Sequence, residues 1–193
     1  MEKVTVDELI KLYKEDLYGK IICFPTDTVY GVGALASDES AIKKIYKMKN
    51  RSDNKPLPIL CSKVSQVEEY AYISKKARTL MENYWPGALT IILNKKEGAF
   101  DNIAEATLAF RMPNSSVSLK IIDHFSLLAT TSVNTSGEKE LNSVSEIEEK
   151  FSSYIDYLVI DSATFSSVAS TIVDATSDTL KVIRQGNIVI NEI

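Results

Sequence analysis

Histidine and cysteine are scarce in this sequence. One histidine and two cysteines occur in 193 residues, too few for a Cys/His zinc site. No CxxC occurs, and Cys23 and Cys61, each beside an apolar run, do not make a disulfide framework. No apolar run approaches the ~18 to 20 residues that span a bilayer. Residues 1–20 carry Glu2, Asp7, Glu8, Glu15 and Asp16, unlike a signal or transit peptide. The expectation is a cytoplasmic protein with no membrane contact. Basic charge is also short: 22 Lys and Arg stand against 26 Asp and Glu, a net charge of −4. A protein whose main task is to grip duplex phosphates is usually basic, so a large nucleic-acid surface is disfavoured, although a local basic cluster can still hold a small anion. GxxxxGK[ST], GxSxG and HExxH are all absent.

What is present reads as a packed domain. The hydrophobic share is 45% and the charged share 25%, ordinary for a globule, and the length fits one domain over 1–193. Thr5 and Glu8 spell a capping box that opens a helix to Tyr18, with Leu9, Ile10, Tyr13 and Leu17 at helical spacing. Asp38 caps a helix to about Met48. Ser65 with Glu68, and Ser143 with Glu146, spell two more capping boxes; Ser115 to Phe125 is also helical. Strands are expected at 20–24, 31–36, 57–61, 88–93, 107–112, 127–132, 157–160, 170–174, 180–184 and 188–190, with 49–56 a basic loop and 94–106 polar and aperiodic. Strands and helices alternate irregularly, so the fold class is α/β of the α+β type, with a mixed sheet.

Two features mislead by spelling. Gly31-Val32-Gly33-Ala34-Leu35-Ala36 reads GxGxxA, but a dinucleotide fingerprint needs its glycines in a turn that opens a helix. This run is apolar, and the helix cap comes later. His124 lies in a helical stretch, as a helix-surface or helix-end residue.

Four segments place hydroxyls and cations at strand ends, where open α/β sheets bind ligands. Thr26, Asp27, Thr28 and Tyr30 follow Pro25. Such a loop can simply cap its own turn. Lys47, Lys49, Arg51 and Lys55 gather at a helix C-terminus; they either complement the helix dipole or clamp a polyphosphate. Thr130-Thr131-Ser132-Val133-Asn134-Thr135-Ser136 is a run of neutral donors. Ser170 and Arg184 sit near the C-terminal end, where Arg184 can reach an anion or form a surface ion pair.

In order along the chain, Pro25-Thr26-Asp27-Thr28-Val29-Tyr30-Gly31, Trp85-Pro86-Gly87-Ala88-Leu89-Thr90, Phe110-Arg111-Met112-Pro113 and Ser170-Thr171-Ile172-Val173-Asp174 resemble the motifs of the Sua5/YrdC/YciO family. The resemblance runs from residue 5 to 186. Lys49-Asn50-Arg51 and Ser132-Val133-Asn134 match the Lys-x-Arg and Ser-x-Asn that separate its synthases from YciO-like members. Leu60 stands where longer Sua5 proteins often carry histidine, and the chain ends at Ile193 without room for their extra C-terminal domain. The resemblance implies a YrdC-like fold, a twisted mixed sheet with helices on both faces. It implies synthesis of threonylcarbamoyl-AMP and pyrophosphate from L-threonine, bicarbonate and ATP, with Mg²⁺ bridged by ATP phosphates rather than held by protein ligands. The product passes to partner proteins that modify adenosine 37 of tRNA. It further implies that Lys49, Arg51, Ser132 and Asn134 are catalytic, that ATP is held by these four with Lys55, Ser170 and Arg184, and that Thr26, Thr28, Tyr30 and Arg111 form the threonine side. Direct RNA binding, or a YciO-like member without synthase activity, remains open at this point.

Overall fold

The computed structural model describes residues 1–52 and 55–190; residues 53 and 54 of the expected basic loop lie outside the described residues. The chain begins with β1 (Glu2–Val4), α1 (Val6–Leu9) and a 3-10 turn (Lys14–Leu17), then the hairpin β2 (Ile22–Pro25) and β3 (Tyr30–Leu35). Next come α2 (Glu39–Lys49), β4 (Ile59–Leu60), α3 (Val64–Tyr70), α4 (Lys75–Tyr84), β5 (Leu89–Asn94) and β6 (Thr107–Arg111). The remainder is α5 (Ser116–Phe125), β7 (Leu128–Ser132), α6 (Val144–Phe151), β8 (Tyr157–Val159), β9 (Thr171–Asp174) and β10 (Lys181–Arg184).

The strands form one open sheet in the order β1-β8-β2-β3-β7-β4-β6-β5-β9-β10. It is mixed: β1/β8, β2/β8, β4/β6 and β5/β9 pair parallel, whereas β2/β3, β3/β7, β4/β7, β5/β6 and β9/β10 pair antiparallel. Helices cover both faces, which is why β2 and β3 are buried along their whole lengths and read as apolar runs instead of alternations. Successive residues still point oppositely. Ile22, Phe24 and Leu35 pack under α1, the 3-10 turn and α5, with Leu9, Leu17, Ile121 and Phe125. Cys23, Val32 and Ala34 pack under α2, α4 and α6, with Ile42, Ile45, Leu80 and Ile147. Each fully buried Leu, Ile or Phe contributes roughly 1.5–3 kcal/mol, so both layers hold the sheet.

Gly31 and Gly33 let β7 approach β3. A Cβ on Gly33 would stand 2.6 Å from Thr130 Oγ1 and 3.0 Å from Ala129 O. The GxGxxA run is therefore a strand interior packed against a neighbouring strand.

Several local expectations are corrected. The helix expected from Thr5 to Tyr18 is one α-turn and a separate 3-10 turn. Its first cap forms as read, with Glu8 N–H donating to Thr5 Oγ1 (3.2 Å) and Glu8 Oε2 accepting from Thr5 N–H (2.7 Å). The chain then restarts at Tyr13, whose N–H donates to the Asp16 carboxylate, leaving Tyr13 exposed instead of on the buried face. The Ser65/Glu68 box is not formed; Lys63 is the N-cap of α3, and Gln66 Oε1 accepts its N–H (3.2 Å) and that of Ser62 (2.8 Å). Ser143 stands at the N-cap of α6, but its hydroxyl pairs with Ser145 Oγ (2.8 Å). Ile188–Ile190 is not a strand; Ile188 is instead tied to the Thr171 hydroxyl. β1 went unread because Glu2 and Lys3 are exposed and only pairing with β8 makes them a strand.

Candidate functional site

The β2–β3 connection is held from inside. Thr26 Oγ1 donates to Val29 O (2.7 Å) and accepts from the N–H groups of Thr28 (3.2 Å) and Val29 (3.3 Å). That fixes Thr28, whose Oγ1 accepts from Arg111 Nη1 (3.0 Å). Arg111, at the end of β6, also donates from Nε to Gly87 O (3.1 Å) and from Nη2 to Asp27 Oδ1 (2.5 Å). One buried guanidinium thus fastens the β2–β3 loop to the Trp85–Gly87 turn. Burial depresses its pKa and Asp27 opposes this, so the charge is kept by pairing.

The end of α2 supplies the second part. Lys49 is 2% exposed, and its ammonium donates to Ser132 O (2.6 Å), Asn134 O (2.9 Å) and Asn134 Oδ1 (2.7 Å). All three protons are therefore used on the last residue of β7 and the loop after it. Ser132 Oγ donates to the same Asn134 Oδ1 (2.7 Å), and Asn134 Nδ2 donates to Glu138 O (2.7 Å). Burial, then the nearby Arg51 charge, lowers the Lys49 pKa to about 8. Asn50, in the left-handed region at φ 49°, turns the chain, and Arg51 then donates to Lys55 O (3.0 Å) and Pro56 O (3.3 Å). What Lys55 presents there is its carbonyl, which also accepts from Tyr46 Oη (3.1 Å).

The third part is the β9–β10 end of the sheet. Arg184 Nε and Nη2 donate to Ser170 O (3.0 and 2.9 Å), and Nη2 reaches Ser170 Oγ (3.2 Å). That hydroxyl also pairs with Thr90 Oγ1 at 2.8 Å.

These parts enclose a cavity of about 410 Å³. Thr26, Thr28, Arg51, Arg111, Ser132, Ser170 and Arg184 line it together. Lys49 and Asn134 do not; they form the support beneath Ser132. Tyr30 lies in the core: its hydroxyl donates to Val159 O (3.3 Å), its ring lies 5.2 Å from that of Phe165, and burial pushes its pKa to about 12. The Lys55 side chain is exposed away from the lining. Sequence reasoning missed Thr90, although it ends the Trp-Pro-Gly element, and Glu140, which no motif marks. Both line the cavity.

Three guanidiniums, that of Arg111 paired with Asp27, line the cavity with several hydroxyls and one carboxylate, groups able to bind an anion. Neither cysteine nor histidine is among the lining residues. Cys23 and Cys61 are buried, with thiol pKa values raised by burial, that of Cys61 to about 12. His124 sits at the end of α5 against Leu12 O (2.9 Å), as expected for a helix-end residue. Among the described residues, no group of three or more His, Cys, Asp or Glu is placed to hold a metal.

An open mixed sheet, covered on both faces and carrying a cleft lined by three arginines, defines an α/β domain with a cationic cleft. The family model for Sua5, YciO and YrdC proteins, described as "Telomere recombination", matches residues 17–186, and the chain belongs to this family. A Methanocaldococcus jannaschii protein, provisionally designated a threonylcarbamoyl-AMP synthase, is 37% identical over 100% of this chain and 91% of its own. The Pyrococcus abyssi threonylcarbamoyl-AMP synthase is 35% identical over 91% of this chain and 53% of its own, so the chain spans about half of that relative. The structure of P. abyssi Sua5 complexed with L-threonine superposes with a TM-score of 0.87 at 32% identity, covering 96% of this chain and 58% of that one.

Proposed function

We propose that the chain is an L-threonylcarbamoyl-AMP synthase, an enzyme of the nucleotidyltransferase type. The amino group of L-threonine and bicarbonate give a carbamate and water, the C–N bond forming as a C–O bond of bicarbonate breaks. A carbamate oxygen then bonds to the α-phosphorus of ATP as the bond to the pyrophosphate oxygen breaks. The product supplies N6-threonylcarbamoyladenosine formation at position 37 of tRNA through downstream transfer proteins, in the cytoplasm. Among the described residues no helix is long and apolar enough to cross a membrane.

The observation that carries this reading is the gathering of Arg51, Arg111 and Arg184 around one cavity with Thr28, Ser132 and Ser170. Displacement at phosphorus needs positioning and charge neutralisation more than a protein nucleophile, and that is what these groups offer. Arg51 and Arg184 face the triphosphate. Ser132, held by the Lys49–Asn134 support, lies toward the α-phosphate. Thr26, Thr28 and Arg111 form the amino-acid side. Magnesium arrives with ATP and neutralises phosphate oxygens, which suits a cavity with one carboxylate and three cations.

Pyrophosphate release by the purified protein with ATP and Mg²⁺ tests the proposal. Release is expected to require both bicarbonate and L-threonine, to fall with L-serine, and to be lost in Arg51→Ala and Asn134→Ala. ATP binding with no threonine-dependent release would overturn the synthase reading and leave a nucleotide-binding member of the family.

A further inference from the structure

Glu140 is the one acidic residue among those lining the cavity. Asp27, the other nearby carboxylate, is committed to Arg111. Among the described residues, Glu140 takes part in no ion pair, although its charge is felt by both Lys49 and Arg184, whose proton affinities it raises. Nor is its place accidental. The segment around it is pinned on both sides: Glu138 O accepts from Asn134 Nδ2 (2.7 Å), Leu141 N–H donates to Val133 O (2.9 Å), and Asn142 Oδ1 accepts from Tyr30 N–H (3.0 Å). A rigid backbone thus delivers a half-buried carboxylate into a space otherwise built for an anion. For a metal-free polyphosphate, that carboxylate is a repulsive element. It becomes favourable when the ligand brings a cation along. Magnesium rarely has an all-protein cage; it is held by one or two carboxylates plus ligand phosphates and water. A cavity with a single carboxylate, in a chain with no preformed acidic cluster among its described residues, has this composition.

We propose that Glu140 is the protein's contact for the divalent cation that accompanies the bound triphosphate, directly or through one water. The inference rests on the nucleotide-binding reading above. It makes the protein selective for the magnesium complex of ATP over the free nucleotide.

Calorimetric titration with ATP at constant ionic strength, with Mg²⁺ and with EDTA, tests it in the unaltered protein, Glu140→Gln and Glu140→Asp. Mn²⁺ in place of Mg²⁺, followed by the relaxation it induces in water protons, reports on the metal itself. The unaltered protein is expected to bind ATP at least about tenfold more tightly with Mg²⁺, the scale on which single contacts around a metal act. Glu140→Gln loses that enhancement and binds metal-free ATP at least as well as the unaltered protein. Glu140→Asp, which keeps the carboxylate, retains part of the enhancement. An unchanged magnesium enhancement in Glu140→Gln overturns the inference while leaving the function intact. So does tightening by the same factor with and without metal, which marks the carboxylate as repulsive only. Failure of the unaltered protein to bind ATP in either form sinks the functional reading and this inference together.

Discussion

The Lys49 ammonium lies beneath the Ser132–Asn134 loop with each of its protons donated to that loop. Its effect on a bound phosphate is therefore exerted through Ser132, whose hydroxyl shares the Asn134 Oδ1 acceptor. Two consequences of opposite sign follow from a pKa of about 8, below the ordinary lysine value of 10.5. Above pH 8 the folded protein loses this proton and one donated hydrogen bond, so ATP affinity falls. Between pH 8 and 10.5 the unfolded chain binds the extra proton, so this group's contribution to stability rises over the same window. ATP titrations across pH 7–10 are expected to show the alkaline fall. Lys49→Met, similar in length but without donors, is expected to lack that limb and to bind ATP about ten- to a hundredfold more weakly at pH 7, as loss of charged hydrogen bonds worth about 1.5–3 kcal/mol requires. If Lys49→Met retained both normal affinity and the alkaline limb, the supporting role would be wrong. At this scale the sequence was half legible. A lysine and an arginine at a helix end beside a hydroxyl-rich loop could be read as one site. That Lys49 turns inward and Tyr30 into the core could not be, because side-chain direction depends on strands that meet only in the folded chain.

The β9–β10 hairpin carries Arg184, whose guanidinium is held by Ser170, and a single threonine ties down the segment that follows. Thr171 Oγ1 accepts from the N–H groups of Gly186 (2.9 Å) and Ile188 (3.2 Å) and donates to Ile188 O (2.7 Å), folding the segment after β10 back against β9. Gly186 has no room for a side chain: a Cβ would stand 2.5 Å from Thr171 N and closer still to Ala169 O, both backbone atoms. Gly186→Ala is expected to push this segment off β9 and carry Arg184 with it. Overpacking against backbone costs about 1–3 kcal/mol, to be read as a lowered melting temperature together with weaker ATP binding. Asn187→Ala, one residue away and exposed, serves as the control. Normal affinity in Gly186→Ala would show that the hairpin does not position Arg184. Elements such as this were legible because β-branched runs bounded by small polar residues leave few other choices. The losses came where pairing, not local preference, makes the element: β1 exists only against β8. The helix expected to reach Tyr18 breaks because Asp16 offers Tyr13 a cap that competes with continuing the helix.

Across the whole molecule the cavity is where the two halves of the sheet meet. Residues of β3, β4, β5, β6, β7, β9 and β10 line it, with the β2–β3 loop, Pro56 and Pro58. Arg111 on β6 ties the β2–β3 loop across the gap, and β4, two residues long, is the paired link between β7 and β6. A ligand seated there holds both halves at once, so its binding energy adds to the stability of the entire fold. At a ligand concentration about a hundred times Kd this amounts to about 2.7 kcal/mol, which for a domain of this length raises Tm by roughly 5–10 °C. The net charge of −4 sharpens the expectation, because the chain as a whole does not attract anions and the cavity gathers three guanidiniums. Thermal melts with Mg²⁺ and either ATP or AMP separate the contributions. ATP is expected to give the full shift, and AMP, which lacks the phosphates assigned to Arg51 and Arg184, less than half of it at equal concentration. Equal shifts from the two nucleotides would mean that the arginines do not hold the terminal phosphates. No shift from either would mean that the cavity takes a different anion.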